Sequence, residues 1–254
     1  MLVHLGGVEY PCQSHQPSRR FLPSRIFPAM AGNASGVRRL YLSLYNWIVF
    51  IGWVQVSWFM ILALLKNGYD AVYAAVEQHL LFAQTAAIME ILHSIVGLVR
   101  SPVPSTVLQV TGRLFMIWGI LWSFPETHSH ILVTSLIICW CITEVTRYSF
   151  YGMKESFGFT PSWLFWLRYS TFIVCFPVGM VCEVVLIYIA LPFMEMKALQ
   201  YQASEKSDKW SFSFNYFYAN LFFMASFATV YPVLFRYLIA LRKKALAKAK
   251  PHNY

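Results

Sequence analysis

The residues from 44 to 65 form an uninterrupted run of 22 without Asp, Glu, Lys or Arg. A helix of that length, at 1.5 Å per residue, is about 33 Å long and crosses the hydrocarbon core of a bilayer. Further apolar stretches with embedded polar groups lie at residues 80–99, 107–124, 130–151, 164–191 and 214–236. The sequence therefore predicts an all-α integral membrane protein with six transmembrane helices in one bundle.

The composition supports a membrane domain and argues against a nucleic-acid-binding protein. Hydrophobic residues make up 58% of the chain, and charged residues 12%, about half of the roughly 25% found in soluble domains. The net charge of +9 comes mainly from Arg19 to Arg39 and Arg236 to Lys250, next to apolar segments. This placement favours contact with anionic lipid headgroups, and no nucleic-acid partner is expected.

We divide the chain into three parts. Residues 1–29 contain four prolines and are predicted to be a disordered extension, with an organelle transit peptide as the alternative because Glu9 is the only acid. Residues 30–241 form the membrane domain, and residues 242–254 form a basic tail. Six spans place both termini on one side, and the basic tails predict that this side is the cytosol.

Several ionisable side chains lie inside the predicted spans, where a charge costs at least about 2.5–3.5 kcal/mol. Glu90 and His93 share one helical face because they are three residues apart, and Glu144 and Arg147 repeat that spacing. Arg113 lies in the third span. These groups are interpreted either as ion pairs that hold helices in register or as part of a functional site.

Glu183 differs from these residues because no basic residue lies within one helical turn of it. A lone carboxylate in an apolar helix is a candidate general acid or base. Pro177 and Gly179 in the same span predict a kink or a widened cavity, since proline removes a helical hydrogen bond. This combination indicates a site for a lipid-like substrate.

Other chemistries have weaker support in the sequence. Of the seven histidines only His93 lies in the interior of a predicted span, while His130 is the first residue of another. The stretch "EILH" is therefore a weak metal signal, and neither a metal nor a cofactor is expected. A cysteine phosphatase needs a nucleophilic cysteine in an anion-binding loop closed by arginine, whereas Cys141, which has Arg147 six residues later, lies inside an apolar span. A proton-coupled transporter stays open, because embedded carboxylates also serve proton relays.

Four ordered motifs resemble a known family: "YNWIVFIGW", "MEILHSIVGLVRSPVPSTVLQVTGRLF", "ITEVTRYSFYGMKE" and "WLRYSTFIVCFPVGMVCEVVLIYIALP". They are similar to the (3R)-3-hydroxyacyl-CoA dehydratases, also called protein tyrosine phosphatase-like proteins, and in particular to plant PASTICCINO-type members. The resemblance implies a hydro-lyase with six helices in the endoplasmic reticulum membrane. It would convert 3-hydroxyacyl-CoA to trans-2-enoyl-CoA in the third step of very-long-chain fatty acid elongation, beside a condensing enzyme and two reductases.

The family pattern Tyr-Pro-x-Gly-x-x-x-Glu carries its catalytic pair, and the corresponding stretch here is "FPVGMVCE". Glu183 matches the carboxylate, but Phe176 stands where the tyrosine belongs. Dehydration needs two proton-handling groups, one at C2 and one at the 3-hydroxyl. The chain is therefore expected to be a slower enzyme that uses Glu183 and water, an enzyme that recruits Tyr148 or Tyr169, or a non-catalytic scaffold of the elongase.

The resemblance also suggests roles for three arginines. Arg113, Arg147 and Arg168 are candidates for binding the phosphates of coenzyme A. Arg168 is equally consistent with an anchor at the membrane interface. Tyr169 is seven residues before Phe176, so in one continuous helix it would point the same way from two turns further along.

On the sequence alone, Phe176→Tyr is expected to raise the dehydration of 3-hydroxyacyl-CoA by about 10²–10⁴-fold, the usual contribution of one positioned acid or base. Glu183→Gln in that background should remove the gain, because it deletes the other half of the pair. Enoyl-CoA formation in membranes that lack their own dehydratase measures both effects.

Overall fold

The computed structural model describes residues 28–99, 101–203 and 212–249. Within these ranges the regular secondary structure is entirely helical. Short 3₁₀ turns at Tyr69–Ala71 and Pro125–Thr127 separate longer elements, and a π-helical segment, Phe115–Leu121, continues α4. The helices are α1 (Pro28–Lys66), α2 (Val72–Ala86), α3 (Ile88–Ile95), α4 (Val103–Leu114), α5 (Ile131–Phe157), α6 (Ser162–Arg168), α7 (Phe172–Ala203) and α8 (Phe212–Ala249).

The all-helical fold is confirmed over the described ranges, and the six-span count stays a prediction. Among the residues that the structure describes, three segments are long and apolar enough to cross a membrane: Gly36–Lys66, Ile131–Phe157 and Ser162–Lys197. The second predicted span, residues 80–99, is divided between α2 and α3. The predicted disordered extension lies outside the described residues, except for its last two positions at the start of α1.

The larger apolar core of the described residues lies where α1, α2, α5, α7 and the π-helical segment meet. α5 is central, since it packs against both α1 and α7, and α7 in turn packs against α8. Trp53 of α1, Trp140 of α5 and Leu186 of α7 are almost completely buried in this core. The core therefore fixes α7, which carries Glu183, against α5.

The packing of α1 on α5 requires a glycine at position 152. A Cβ atom there would lie only 3.0 Å from the Trp47 ring, which is closer than ordinary van der Waals contact. The Trp47 indole N–H donates a 2.9 Å hydrogen bond to Ser156 Oγ, and Arg39 donates to the Glu155 carbonyl. Close contact and polar bonds together hold the ends of these two helices in register.

α7 and α8 both contain proline within an apolar helix. Pro177 cannot donate to the carbonyl of Ile173, so α7 lacks one hydrogen bond at that turn. Pro232 occupies an equivalent interior position in α8. A second, smaller apolar cluster joins the two helices near these prolines, and it contains Phe172, Phe176 and Leu238 with Tyr231, Leu234, Phe235 and Ile239.

Candidate active site

Arg147 of α5 binds two buried carboxylates at once. Its Nη1 lies 2.7 Å from Glu90 Oε1 on α3, and its Nε and Nη2 lie 2.8 and 2.5 Å from Glu144 Oε2 one turn earlier on α5. Arg113 of α4 reaches the other oxygen of Glu144 at 2.5 Å. Four of the predicted polar residues therefore form one network, which links α3, α4 and α5.

Aromatic side chains extend this network. The Tyr148 hydroxyl donates a 2.5 Å hydrogen bond to Glu90, while the Arg147 guanidinium carbon lies 4.1 Å from the centre of the Tyr148 ring. His93, on the same face of α3 as Glu90, shares a 2.8 Å hydrogen bond with the hydroxyl of Tyr41 on α1. The network thus connects α1 with the other three helices, and Tyr148 is engaged within it.

Two arginines and two glutamates in this network balance one another. Each of the four is less than a tenth exposed, so an unpaired member would leave a charge in a poorly solvated place. The contacts support the interpretation of these residues as ion pairs that hold the helices in register.

Glu183 lies in a different environment, in the middle of α7, with 5% of its surface exposed. The ion pairs among the described side chains do not include it. The indole N–H of Trp140 on α5 faces the Glu183 carboxylate and interacts with it, although the contact falls outside standard hydrogen-bond geometry. The thiols of Cys139, Cys175 and Cys182 also lie in the neighbourhood of Glu183.

Phe176 is buried against α8 and stacks on a tyrosine. Its ring is 1% exposed and lies 4.1 Å, centre to centre, from the Tyr231 ring, with an angle of 16° between the planes. The Tyr231 hydroxyl donates a hydrogen bond to the backbone carbonyl of Phe176. The Phe235 ring also packs against Phe176, and the centres of these two rings are 5.8 Å apart.

Tyr169 and Arg168 lie in surroundings that the spacing in the sequence did not predict. Tyr169 lies in the turn between α6 and α7, so the two-turn helical phase that would align it with Phe176 does not apply, and its ring packs on Phe165. Arg168 is only 5% exposed. Its guanidinium lies over the Tyr151 ring and 3.4 Å from the Tyr151 hydroxyl, so the side chain packs against α5.

The sequence interpretation missed Trp140 and Tyr231. Trp140 precedes Glu144 by one turn on α5, so the face that carries the ion pairs also carries the indole that faces Glu183. Tyr231 precedes Pro232 in the same way that Phe176 precedes Pro177. The sequence signal for Tyr231 was this repeated pattern of an aromatic residue followed by proline in two apolar helices.

Comparison with known proteins identifies the family. The sequence pattern described as "Protein tyrosine phosphatase-like protein, PTPLA" matches residues 84–248, a range that contains every candidate site residue from Glu90 to Tyr231. The chain belongs to this family. No solved structure was found to match it.

Relatives within the PTPLA family are similar over most of their length. The chain is 62% identical over 221 residues to "Very-long-chain (3R)-3-hydroxyacyl-CoA dehydratase PASTICCINO 2A" of Oryza sativa subsp. japonica, which covers 87% of this chain and 99% of the relative. It is 52% identical, with the same coverage, to PASTICCINO 2 of Arabidopsis thaliana. Identity to the Homo sapiens protein "Very-long-chain (3R)-3-hydroxyacyl-CoA dehydratase 2" is 37%, over 84% of this chain and 83% of that protein.

Removal of one carboxylate from the network should destabilise the PTPLA fold. Glu144→Gln leaves Arg113 without its ion-pair partner, and loss of one member of a buried pair costs about 3–5 kcal/mol. We expect a clearly lower melting temperature in detergent, and a smaller loss when Arg113→Gln is added. Glu195→Gln, at an exposed position on α7, is the control. A Glu144→Gln melting temperature equal to that of the control would contradict a structural role for the network.

Proposed function

We propose that this chain is a very-long-chain (3R)-3-hydroxyacyl-CoA dehydratase that removes water to give trans-2-enoyl-CoA in fatty acid elongation. The observation that carries the proposal is Glu183, a buried carboxylate outside the ion-pair network at the proline-containing part of α7. The relatives named above, which are dehydratases by name, supply the reaction class.

The surroundings of Glu183 suit this reaction. Its carboxylate is positioned to take a proton from C2 of the substrate, since it lies in an apolar region where proton transfer competes little with water. The indole N–H of Trp140, which faces this carboxylate, adds a hydrogen-bond donor on the α5 side of the site. Apolar side chains of α7 and α8 around Phe176 offer a surface for the acyl chain.

The arginines have different relations to an acyl-CoA substrate. Arg113 and Arg147 already neutralise Glu144 and Glu90, so their part is to hold α3, α4 and α5 together. Arg168 lies at the end of the bundle where α6 meets α8, because the neighbouring Ser170 contacts Arg242 at 3.4 Å. It remains our candidate for binding the phosphates of coenzyme A. The condensing enzyme and the reductases of the elongase are proposed as protein partners.

A non-catalytic elongase scaffold is the alternative function, and Phe176 is the observation that favours it. Phenylalanine has no proton to transfer, so the position that would carry the second catalytic group supplies no acid or base. A scaffold would bind the condensing enzyme and produce no enoyl-CoA. The dehydratase assay below separates the two functions.

The distribution of charge supports the orientation that we propose in the endoplasmic reticulum membrane. Arg38 donates to the Leu98 carbonyl and Arg39 to the Glu155 carbonyl, which places the basic start of α1 beside the end of α5. The contact of Arg242 with Ser170 adds the basic end of α8 to the same end of the bundle. This end faces the cytosol in our proposal, since cytosolic ends are rich in Lys and Arg.

The dehydratase proposal predicts a strict requirement for the carboxylate of Glu183. Membranes from cells that lack their own dehydratase should form enoyl-CoA when they contain the wild-type chain. Glu183→Gln should lower turnover by about 10²–10⁴-fold because the base is lost. Glu195→Gln, a carboxylate-to-amide change at an exposed position of the same helix, should leave turnover unchanged. Equal activity of the two variants would exclude Glu183 as the base.

The proposed topology predicts that both ends of the chain are accessible from the cytosol. Protease added to sealed microsomes should remove epitope tags from the N-terminus and from the C-terminus. A lumenal tag inserted between Lys197 and Lys206 serves as the protected control. Protection of either terminal tag would contradict the even span count or the orientation.

A further inference from the structure

Tyr231 of α8 brings a phenol to the stretch of α7 that carries Glu183. Its hydroxyl donates to the carbonyl of Phe176, and its ring is stacked on the Phe176 ring. The Tyr231 hydroxyl and the Glu183 carboxylate are also close enough to interact electrostatically. A phenol and a carboxylate therefore flank the same turns of α7, although they come from different helices.

The geometry of α7 narrows the gap between these two groups. Phe176 and Glu183 are seven residues apart, so their Cα atoms differ in height by about 10.5 Å along the helix. The Phe176 carbonyl points along the axis toward the C-terminal end, which is the direction of Glu183. The Glu183 side chain leans back toward the N-terminal end. Both functional groups are thus displaced into the interval between the two Cα atoms.

From this juxtaposition we infer that Tyr231 is the second proton-handling group of the site, and that it donates to the 3-hydroxyl of a 3-hydroxyacyl thioester whose C2 faces Glu183. The inference rests on the proposed dehydratase function. It assigns to α8 a catalytic group that the sequence pattern would place on α7.

The step balances with these two groups alone. The Glu183 carboxylate takes a proton from C2, the C2–H electron pair becomes the C2–C3 double bond, and the C3–O bond breaks. The leaving hydroxyl accepts the Tyr231 proton and departs as water. Glu183 is then protonated and Tyr231 is a phenolate, and proton transfer from one to the other, directly or through the released water, restores both. Tyrosine suits the donor role because a phenol with an ordinary pKa near 10 carries its proton at neutral pH.

The contacts of Tyr231 hold its phenol in a fixed position before substrate binds. Stacking on Phe176 fixes the plane of the phenol ring, and the hydrogen bond to the carbonyl holds the hydroxyl at the surface of α7. Rotation about the C–O bond redirects the proton to a substrate oxygen without movement of the ring. Phe176 in this arrangement is a positioning residue for Tyr231.

The inference revises the expectation for Phe176→Tyr. A site without any phenol would gain about 10²–10⁴-fold from a new one, as the sequence alone predicts. A site that already uses Tyr231 should gain less than about tenfold, because the proton donor is present. The same substitution in a Tyr231→Phe background should recover part of the lost turnover, which would show that the missing element is a phenol.

The experiment compares Tyr231→Phe with Tyr237→Phe in membranes lacking their own dehydratase. Tyr231→Phe keeps the stacked ring and removes only the hydroxyl, so kcat should fall by about 10²–10⁴-fold while the melting temperature changes little. Tyr237→Phe removes a hydroxyl from an exposed position of the same helix and should behave as wild type.

The outcomes separate this inference from the proposed function. If the wild-type chain forms enoyl-CoA and Tyr231→Phe forms it at the same rate, the inference is overturned and the dehydratase function stands. A gain of a hundredfold or more from Phe176→Tyr with Tyr231 intact would also overturn it, and this arm does not depend on the folding of the Tyr231 variant. No enoyl-CoA from the wild-type chain, together with binding of the condensing enzyme, would reject the dehydratase function itself and with it the role of Tyr231.

Discussion

Arg147 contacts one oxygen of Glu144 through two of its nitrogens and Glu90 through the third, and these contacts hold together the part of the bundle on which the site depends. Charged groups in apolar surroundings are tolerated when each has a partner, and the alternative of an unpaired charge is costly. Because Arg113 completes the network from α4, these helices have one favourable register. Trp140, one turn before Glu144, is thereby placed against α7.

A consequence is that two polar centres with different purposes lie close together in the bundle. The network around Arg147 is balanced in charge and rich in contacts, which suits a structural role. Glu183 stands outside those ion pairs and faces the indole of Trp140. In a medium of low polarity, a carboxylate that is not held in an ion pair can act on a substrate without first giving up a charged partner.

The pairing of α7 with α8 depends on aromatic packing near two prolines. Proline weakens each helix locally, and the stacked rings of Phe176, Tyr231 and Phe235 occupy the space between them. In an aromatic cluster of this kind, a side chain from one helix can take over the role of a side chain on the neighbouring helix, provided that its functional atom lies near the same position.

The sequence by itself determined the helical class, because long runs without charge leave helices as the way to satisfy backbone polar groups in a membrane. It also singled out Glu183, since a carboxylate among valines is visible without a structure, and it paired Glu144 with Arg147, which lie within one turn. Spacing failed where a helix is interrupted: Tyr169 has the right interval from Phe176 but lies in a turn. Only the tertiary structure decided the contact of Tyr231 with Phe176, which are 55 residues apart. Such a contact depends on the distance and rotation between two packed helices, and local periodicity carries no information about either.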